Sequence, residues 1–182
     1  MERAVPPQAH DDESGFTLVE VLVASVVMVV GLLSVAYGLA LGAAVVATAQ
    51  QDTIARQKAR EAMEDVFTAR DDAKVTFAQV CNVGSGASCI FVNGFTPLTS
   101  PGPDGIVNTA DDGPVETIYT PGPDGILGTA DDVQVPLLGY QRQIQVTKLT
   151  PILSQITVTI RYTTPQNLTR TVTLVAIMSP YV

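Results

Sequence analysis

Histidine, cysteine and basic residues are scarce in this 182-residue chain, and their scarcity excludes several classes of function. Histidine occurs once, at His10, and cysteine twice, at Cys81 and Cys89. A zinc site of the usual Cys/His kind would therefore lack ligands, and a Ser-His-Asp arrangement would depend on His10 alone. The formal net charge of −8 disfavours binding to nucleic-acid phosphates. We therefore predict a protein that is not an enzyme and does not bind nucleic acid.

Charge is also absent from one long apolar segment near the N-terminus. Thirty-one uncharged residues separate Glu20 from Asp52. About 20 apolar residues suffice to cross a bilayer as a helix, so the segment predicts a transmembrane helix. The alternative is a secretory signal peptide cleaved at Ala47-Thr48-Ala49, although such a peptide has an apolar core of only about 7–15 residues.

One acid, Glu20, lies where this apolar segment begins. A carboxylate in a membrane helix costs about 2.5–3.5 kcal/mol at the bilayer centre and less near the edge, so it calls for a partner. No Lys or Arg lies within helical reach of Glu20. A cut just before Phe16 would supply one, because the new α-amino group would lie four residues away, about one helical turn.

The residues around Glu20 resemble a known processing signal. Gly15, the sequence FTLVE (residues 16–20) and the apolar run are similar to the class III signal of type IV pilins and pseudopilins. The continuation EVLVASVVMVVGLLSVA most resembles minor pilins of the V type (pilus modification proteins), and next the minor pseudopilins of type II secretion. The resemblance implies cleavage by a prepilin peptidase between Gly15 and Phe16 and N-methylation of Phe16. It also implies that Glu20 pairs with the N-terminus of an incoming subunit.

The same resemblance implies a location and a set of partners. The chain would be a single-pass protein of the inner membrane, surrounded by lipid before assembly, with its head outside the cytoplasm. Its partners would be the prepilin peptidase, the inner-membrane assembly platform and other pilin or pseudopilin subunits. Its destination would be a periplasmic or cell-surface filament, and no cofactor would be required.

Hydrophobic periodicity predicts the fold of the remaining chain. Apolar residues at three- and four-residue spacing over residues 54–67 predict an amphipathic helix. We therefore predict an α+β, pilin-like fold in which a long N-terminal helix, half transmembrane and half amphipathic, packs against a small antiparallel β-sheet. The predicted segments are a leader at 1–15, a transmembrane or filament-core helix at 16–49, an amphipathic helix at 50–72 and a β-rich head at 73–182.

The C-terminal third alternates between apolar and polar residues, which is typical of an antiparallel meander with one covered face. A turn is predicted at Thr164-Pro165-Gln166-Asn167. The residues predicted to face the core are Tyr140, Ile144, Val146, Ile152, Ile156, Val158, Ile160, Tyr162, Val172, Leu174, Ala176 and Met178.

Cys81 and Cys89 flank a turn rich in glycine and serine. In a head outside the cytoplasm this pair is expected to be oxidised, with a stabilisation of at most about 2–3 kcal/mol for so short a loop. Two free thiols are the alternative, and the spacing is not that of a redox-active Cys-x-x-Cys pair.

A duplicated acidic motif occupies residues 101–132. PGPDGIVNTADD (101–112) recurs as PGPDGILGTADD (121–132), with ten of twelve positions identical. No Lys or Arg lies between Val75 and Gln141, and a hard divalent cation would relieve the repulsion between the carboxylates. Calcium is one interpretation, and two solvated turns whose acids accept local backbone hydrogen bonds are the other. The candidate calcium ligands are Asp104, Asp111, Asp112, Asp124, Asp131 and Asp132.

Two functions agree with these patterns. The first is a structural subunit, a minor pilin or pseudopilin, of a type IV pilus or related filament. The second is a membrane-tethered, calcium-dependent binding or adhesion domain outside the cytoplasm that does not polymerise. The mature N-terminus distinguishes them, because methylated Phe16 supports the first function, whereas an intact Met1 or a start at Gln50 supports the second.

Overall fold

A computed structural model describes residues 15–86 and 88–181. The leader predicted at residues 1–15 lies outside the described residues, apart from Gly15. One helix, α1, runs from Leu18 to Asp71. The chain divides into two compact units between Ala43 and Ala44, and the two are described separately.

In the first unit, residues 18–43 form the apolar part of α1. The most apolar 18-residue window has a mean hydropathy of 2.6, with none of it buried. Seventeen large apolar side chains from Phe16 to Leu41 are each at least half exposed. The hydroxyls of Ser25 and Ser34 donate to the carbonyl oxygens four residues earlier, at 2.7 and 2.8 Å, so these polar groups are satisfied within the helix. By length and composition this helix is suited to cross a membrane.

In the second unit, the rest of α1 presents one face to the core. The buried residues of this face are Ala55, Ala59, Ala62, Met63, Val66 and Ala69. Ile54 and Phe67 pack against them and are partly buried, so the predicted amphipathic face is confirmed. Ala73, in the left-handed region at φ 56°, follows the helix end, and the Lys74 N–H donates to the Ala69 carbonyl oxygen at 2.9 Å.

Six strands complete the second unit: β1 (Thr96–Pro97), β2 (Thr117–Thr120), β3 (Val133–Pro136), β4 (Tyr140–Thr150), β5 (Leu153–Thr163) and β6 (Thr169–Met178). Four form an antiparallel sheet in the order β1-β4-β5-β6, and β2 pairs with β3 in a separate hairpin. In the large sheet Tyr140 lies opposite Tyr162, and Thr163 lies opposite Thr169 across the predicted turn. The arrangement is the predicted α+β, pilin-like layout.

The core lies between the helix and one face of the large sheet. Ile144, Ile156, Val158 and Ile160 are fully buried there, as the alternation predicts. The prediction for Ile152 was wrong, because Ile152 lies in the turn between β4 and β5 and is 47% exposed.

Two tyrosines join the sheet to the helix. The rings of Tyr140 and Tyr162 stack with centroids 5.5 Å apart. The Tyr140 hydroxyl donates to the Gln51 carbonyl oxygen at 3.4 Å, and the Tyr162 hydroxyl donates to Asp52 Oδ1 at 3.1 Å. Burial raises the pKa of Tyr140 to about 12, so its hydroxyl stays protonated and remains a donor at any physiological pH.

Candidate functional site

The residues of the predicted cleavage site precede the first turn of α1. Gly15 and Phe16 are exposed and lie outside the helix, which begins at Leu18. The space beside Gly15 is open, because a Cβ at this position would have no atom within 4 Å. The bond between Gly15 and Phe16 is therefore not held by helical hydrogen bonds. Cleavage at this bond and methylation of Phe16 stay predictions.

Glu20 has a local role that the sequence reasoning missed. It is the third residue of α1, and its backbone N–H donates to Thr17 Oγ1 at 3.2 Å. Thr17 therefore caps the helix, and the Thr-x-x-Glu spacing, which was visible in the sequence, is that of a capping box. An acid in the first turn also interacts favourably with the positive end of the helix dipole. Glu20 thus has a reason to be present apart from pairing between subunits.

The Cys81–Cys89 disulfide is formed, with Cα atoms 4.8 Å apart. This pairing confirms the predicted bridge, and free thiols are absent from the described residues. The bridge lies beside the segment that leads to Phe91, whose N–H donates to the Cys81 carbonyl oxygen at 3.1 Å. It therefore holds a short loop against the core rather than linking distant parts of the chain.

The two acidic repeats adopt the same local structure. Asp104 Oδ1 and Asp124 Oδ1 each accept the backbone N–H two residues ahead at 2.8 Å. Asp111 and Asp131 each accept the hydroxyl of the threonine two residues earlier, at 2.7 and 2.6 Å.

The last aspartate of each repeat also has the same local role. Asp112 Oδ2 accepts the N–H of Asn108 at 2.9 Å, and Asp132 Oδ2 accepts that of Gly128 at 2.7 Å. Asn108 and Gly128 both have positive φ, 67° and 94°. The acids therefore hold each repeat in a compact turn of the same shape.

The glycine at the second position of each repeat allows this turn to close. A Cβ at Gly102 would lie 2.5 Å from the Asp111 carbonyl oxygen, and one at Gly122 would overlap the carbonyl oxygen of Asp131. No side chain fits in so small a space, so only glycine permits the two ends of each repeat to approach.

These turns do not form a ready-made metal site. No group of three or more His, Cys, Asp or Glu side chains comes together to hold a metal within residues 15–86 and 88–181. The carboxylates accept backbone and threonine donors instead. Calcium would have to replace those hydrogen bonds, so its binding stays a prediction that requires the loops to rearrange.

A melting curve tests the calcium prediction. If the loops bind calcium only in the folded state, the melting temperature rises with added Ca²⁺, because a ligand at 100 times its Kd stabilises by about 2.7 kcal/mol. A chelator should reverse the rise, and the double substitution Asp131→Asn and Asp132→Asn should reduce it. An unchanged melting temperature in Ca²⁺ and in chelator would mean that both loops are plain turns.

A buried cluster of charges lies behind the first repeat. Arg142 on β4 is 1% exposed, and its guanidinium lies 3.2 Å from Glu116 Oε1 and 3.8 Å from Asp112 Oδ2. It also donates to the Thr99 carbonyl oxygen at 2.8 Å. Lys58 of α1 reaches the other oxygen of Glu116 at 2.6 Å. The cluster thus connects the helix, the sheet and the first acidic loop.

The pKa values of these groups reflect burial and pairing. Burial lowers the pKa of the Arg142 guanidinium, and Glu116 and Asp112 oppose that change. Burial also acts to lower the pKa of Lys58, but hydrogen bonds to Glu116 and Glu61 outweigh it and the net pKa is raised. Lys58 therefore remains charged at neutral pH, and Arg142 does so because a guanidinium is not deprotonated in proteins. Sequence reasoning did not identify the cluster, although the period-two alternation of β4 does place Arg142 on the inward face.

A further acid near this cluster, Asp65 on α1, is expected to oppose folding at neutral pH. Burial raises the pKa of Asp65 above 3.8, although Arg142 acts against the change. Its ionised form is therefore unfavourable in the folded head, and this destabilisation is lost as the pH falls through the raised pKa. Asp65→Asn should keep or raise the melting temperature at pH 7. A clear fall in that temperature would mean that the ionised carboxylate stabilises the head.

The comparison with protein families identifies the N-terminal segment. Residues 11–36 match the family model described as the prokaryotic N-terminal methylation motif. Searches of the curated proteins and of the solved structures returned no significant match. The matched segment contains Gly15, Phe16 and Glu20 and the first part of α1. This signal supports a type IV pilin or pseudopilin, and the α+β layout of one long helix and an antiparallel sheet is pilin-like.

Proposed function

We propose that the protein is a structural subunit, a minor pilin or pseudopilin, of a type IV pilus or a related filament. The observation that carries the proposal is the methylation motif at residues 11–36, which overlaps an apolar helix whose most hydrophobic 18-residue window has no buried residue. The chain would wait in the inner membrane with its head outside the cytoplasm. It would then be processed by the prepilin peptidase and join other subunits through the assembly platform.

The exposed helix supplies the driving force for that step. The seventeen large apolar side chains from Phe16 to Leu41 have no protein contact that buries them within the described chain. In the membrane, lipid covers them, and in a filament the helices of neighbouring subunits would do so, with gains from close packing. The space beside three glycines of this helix is open, since a Cβ at Gly31, Gly38 or Gly42 would meet no other atom within 4 Å. These glycines would let neighbouring helices approach closely.

Glu20 would set the register of assembly. In the apolar core of a filament its carboxylate would be costly without a counter-charge. The α-amino group created in front of Phe16 would supply that charge from the incoming subunit. The capping geometry at Thr17 keeps Glu20 in the first turn of α1.

The N-terminus of the natural protein tests this function. We expect the purified protein to begin at N-methylated Phe16 in wild-type cells, and to retain residues 1–15 in cells that lack prepilin peptidase. Intact-mass and N-terminal peptide mass spectrometry measure both. A natural product that begins at Met1 or at Gln50 would instead indicate the membrane-tethered domain that does not polymerise.

A further inference from the structure

The two acidic repeats differ in how far the two apolar residues of each repeat are buried. In the first repeat Ile106 is 0% exposed and Val107 is 2% exposed. In the second, the equivalent Ile126 and Leu127 are each 60% exposed. The two turns share the hydrogen bonds accepted by their first and last aspartates. The difference in burial therefore comes from contacts that the first repeat makes with the rest of the head.

The head itself supplies the cover of the first repeat. The Asn108 side chain donates to the Val92 carbonyl oxygen at 3.0 Å and accepts the Thr96 hydroxyl at 3.0 Å. These bonds hold the repeat against the segment after the disulfide, and its two apolar residues join the core. The second repeat has Gly128 at this position, so it lacks the side chain that anchors the first.

The last aspartate of each repeat shows the same difference. Asp112 also accepts the Thr99 hydroxyl at 2.6 Å and lies 3.8 Å from the Arg142 guanidinium. Both groups come from outside the repeat. Both groups contact Oδ2 of Asp112, whereas Oδ2 of Asp132 accepts only the Gly128 N–H among the described residues. The second repeat therefore lacks a donor at the position where the first has a hydroxyl and an arginine.

From this comparison we propose that residues 121–132 are a docking loop for a partner protein. The partner presents an apolar pocket that takes Ile126 and Leu127, with an arginine at its edge that binds Asp132. This is the environment that the head itself provides around residues 101–112. Opposite charge also favours it, because Asp124, Asp131 and Asp132 make the loop acidic. If the proposed function holds, the partner is the head of a neighbouring filament subunit.

The surface around the loop is suitable for such a contact. The loop is the tip of the β2–β3 hairpin, and the neighbouring side chains of Tyr119 and Val133 are 57% and 52% exposed. Tyr119, Leu127 and Asp132 line one groove. A stable interface buries more than about 1,000 Å², so the hairpin strands are expected to contribute to the contact together with the loop.

Site-specific photocrosslinking in the native cells tests the proposal. A photoreactive amino acid is placed at position 127 of the full chain, and at position 168 as the control, because Leu127 and Leu168 are both 60% exposed. We expect one discrete protein adduct from position 127, in at least about tenfold higher yield than from position 168. The crosslinked peptide should lie beside an arginine of the partner, and changing that arginine to alanine should lower the yield about tenfold.

Three results would overturn the proposal. The first is an equal adduct yield from positions 127 and 168. The second is an adduct whose yield does not depend on any arginine beside the crosslinked peptide. The third is binding of calcium by the purified protein alone, with a rise in melting temperature that is lost in Asp132→Asn, because the cation would then occupy the position of the arginine.

The failure of this proposal can be told apart from failure of the proposed function. Normal processing at Phe16 and normal presence in filaments, without an adduct from position 127, would refute the docking loop alone. An uncut N-terminus together with the arginine-dependent adduct would refute the filament subunit and leave the docking loop in place.

Discussion

A chain with Glu20 replaced by alanine is expected to be cut normally before Phe16 but to enter filaments at about a tenth of the wild-type level or less. The reason is that removing one partner of a buried charge pair leaves the other charge unpaired at a cost of about 3–5 kcal/mol, and about 1.4 kcal/mol is already tenfold. The measurement is an immunoblot of the sheared filament fraction against total processed protein.

Two further variants separate the charge of Glu20 from its role at the helix start. Glu20→Gln keeps a residue that is favourable at the third position of a capping box but removes the charge. We therefore expect this variant to enter filaments at the same low level as Glu20→Ala. Thr17→Ala removes the cap, seen as the 3.2 Å bond to the Glu20 N–H, but keeps the charge, so it should assemble. Normal incorporation of Glu20→Gln would contradict the pairing role.

Replacement of Arg142 by methionine is expected to lower the free energy of unfolding of the head by about 3–5 kcal/mol, because the remaining acids lose a buried partner. Glu116 and Asp112 would each stay largely buried, with side-chain exposures of 12%. For a domain of this size the melting temperature should fall by about 10 °C or more. Circular dichroism of the full chain in detergent measures the change.

The matched control for this variant is Arg170→Met, because Arg170 is an exposed arginine on β6. It should change the free energy of unfolding by less than about 0.5 kcal/mol, as is usual for surface substitutions. Equal melting temperatures for Arg142→Met and Arg170→Met would contradict a stabilising role of the buried charge cluster.

The helix and the three long strands could be predicted from the sequence because each repeats one simple period. The 3-4 spacing at Ala55, Ala59 and Ala62 and the alternation along β5 each reflect a single buried face. Ile152 continues the alternation in sequence but lies in a turn, where side chains no longer alternate between two faces. Periodicity in the sequence therefore predicts that a helix or strand exists, whereas the residue at which it ends depends on the turn that follows.

The charge cluster and the unequal repeats could not be predicted because they depend on contacts far apart in sequence. Lys58 and Glu116 come from different parts of the chain, and no local pattern brings them together. Similarly, the nearly identical sequences at 101–112 and 121–132 give the same turn, but whether Ile106 and Ile126 are buried depends on the neighbouring surface. Local sequence decides the conformation of each loop, and tertiary contacts decide its exposure.

Because Arg142 is buried, trypsin cleavage after this residue can be used to detect opening of the folded head. Trypsin cuts after Lys and Arg, and between Lys74 and Lys148 the sequence offers it Arg142 alone. In the folded head the Arg142 side chain is enclosed and its strand is paired with β5, so a protease reaches this bond only when the head opens. The rate of cleavage after Arg142 therefore measures the fraction of molecules in which the head is open, as long as reclosing is fast compared with cleavage.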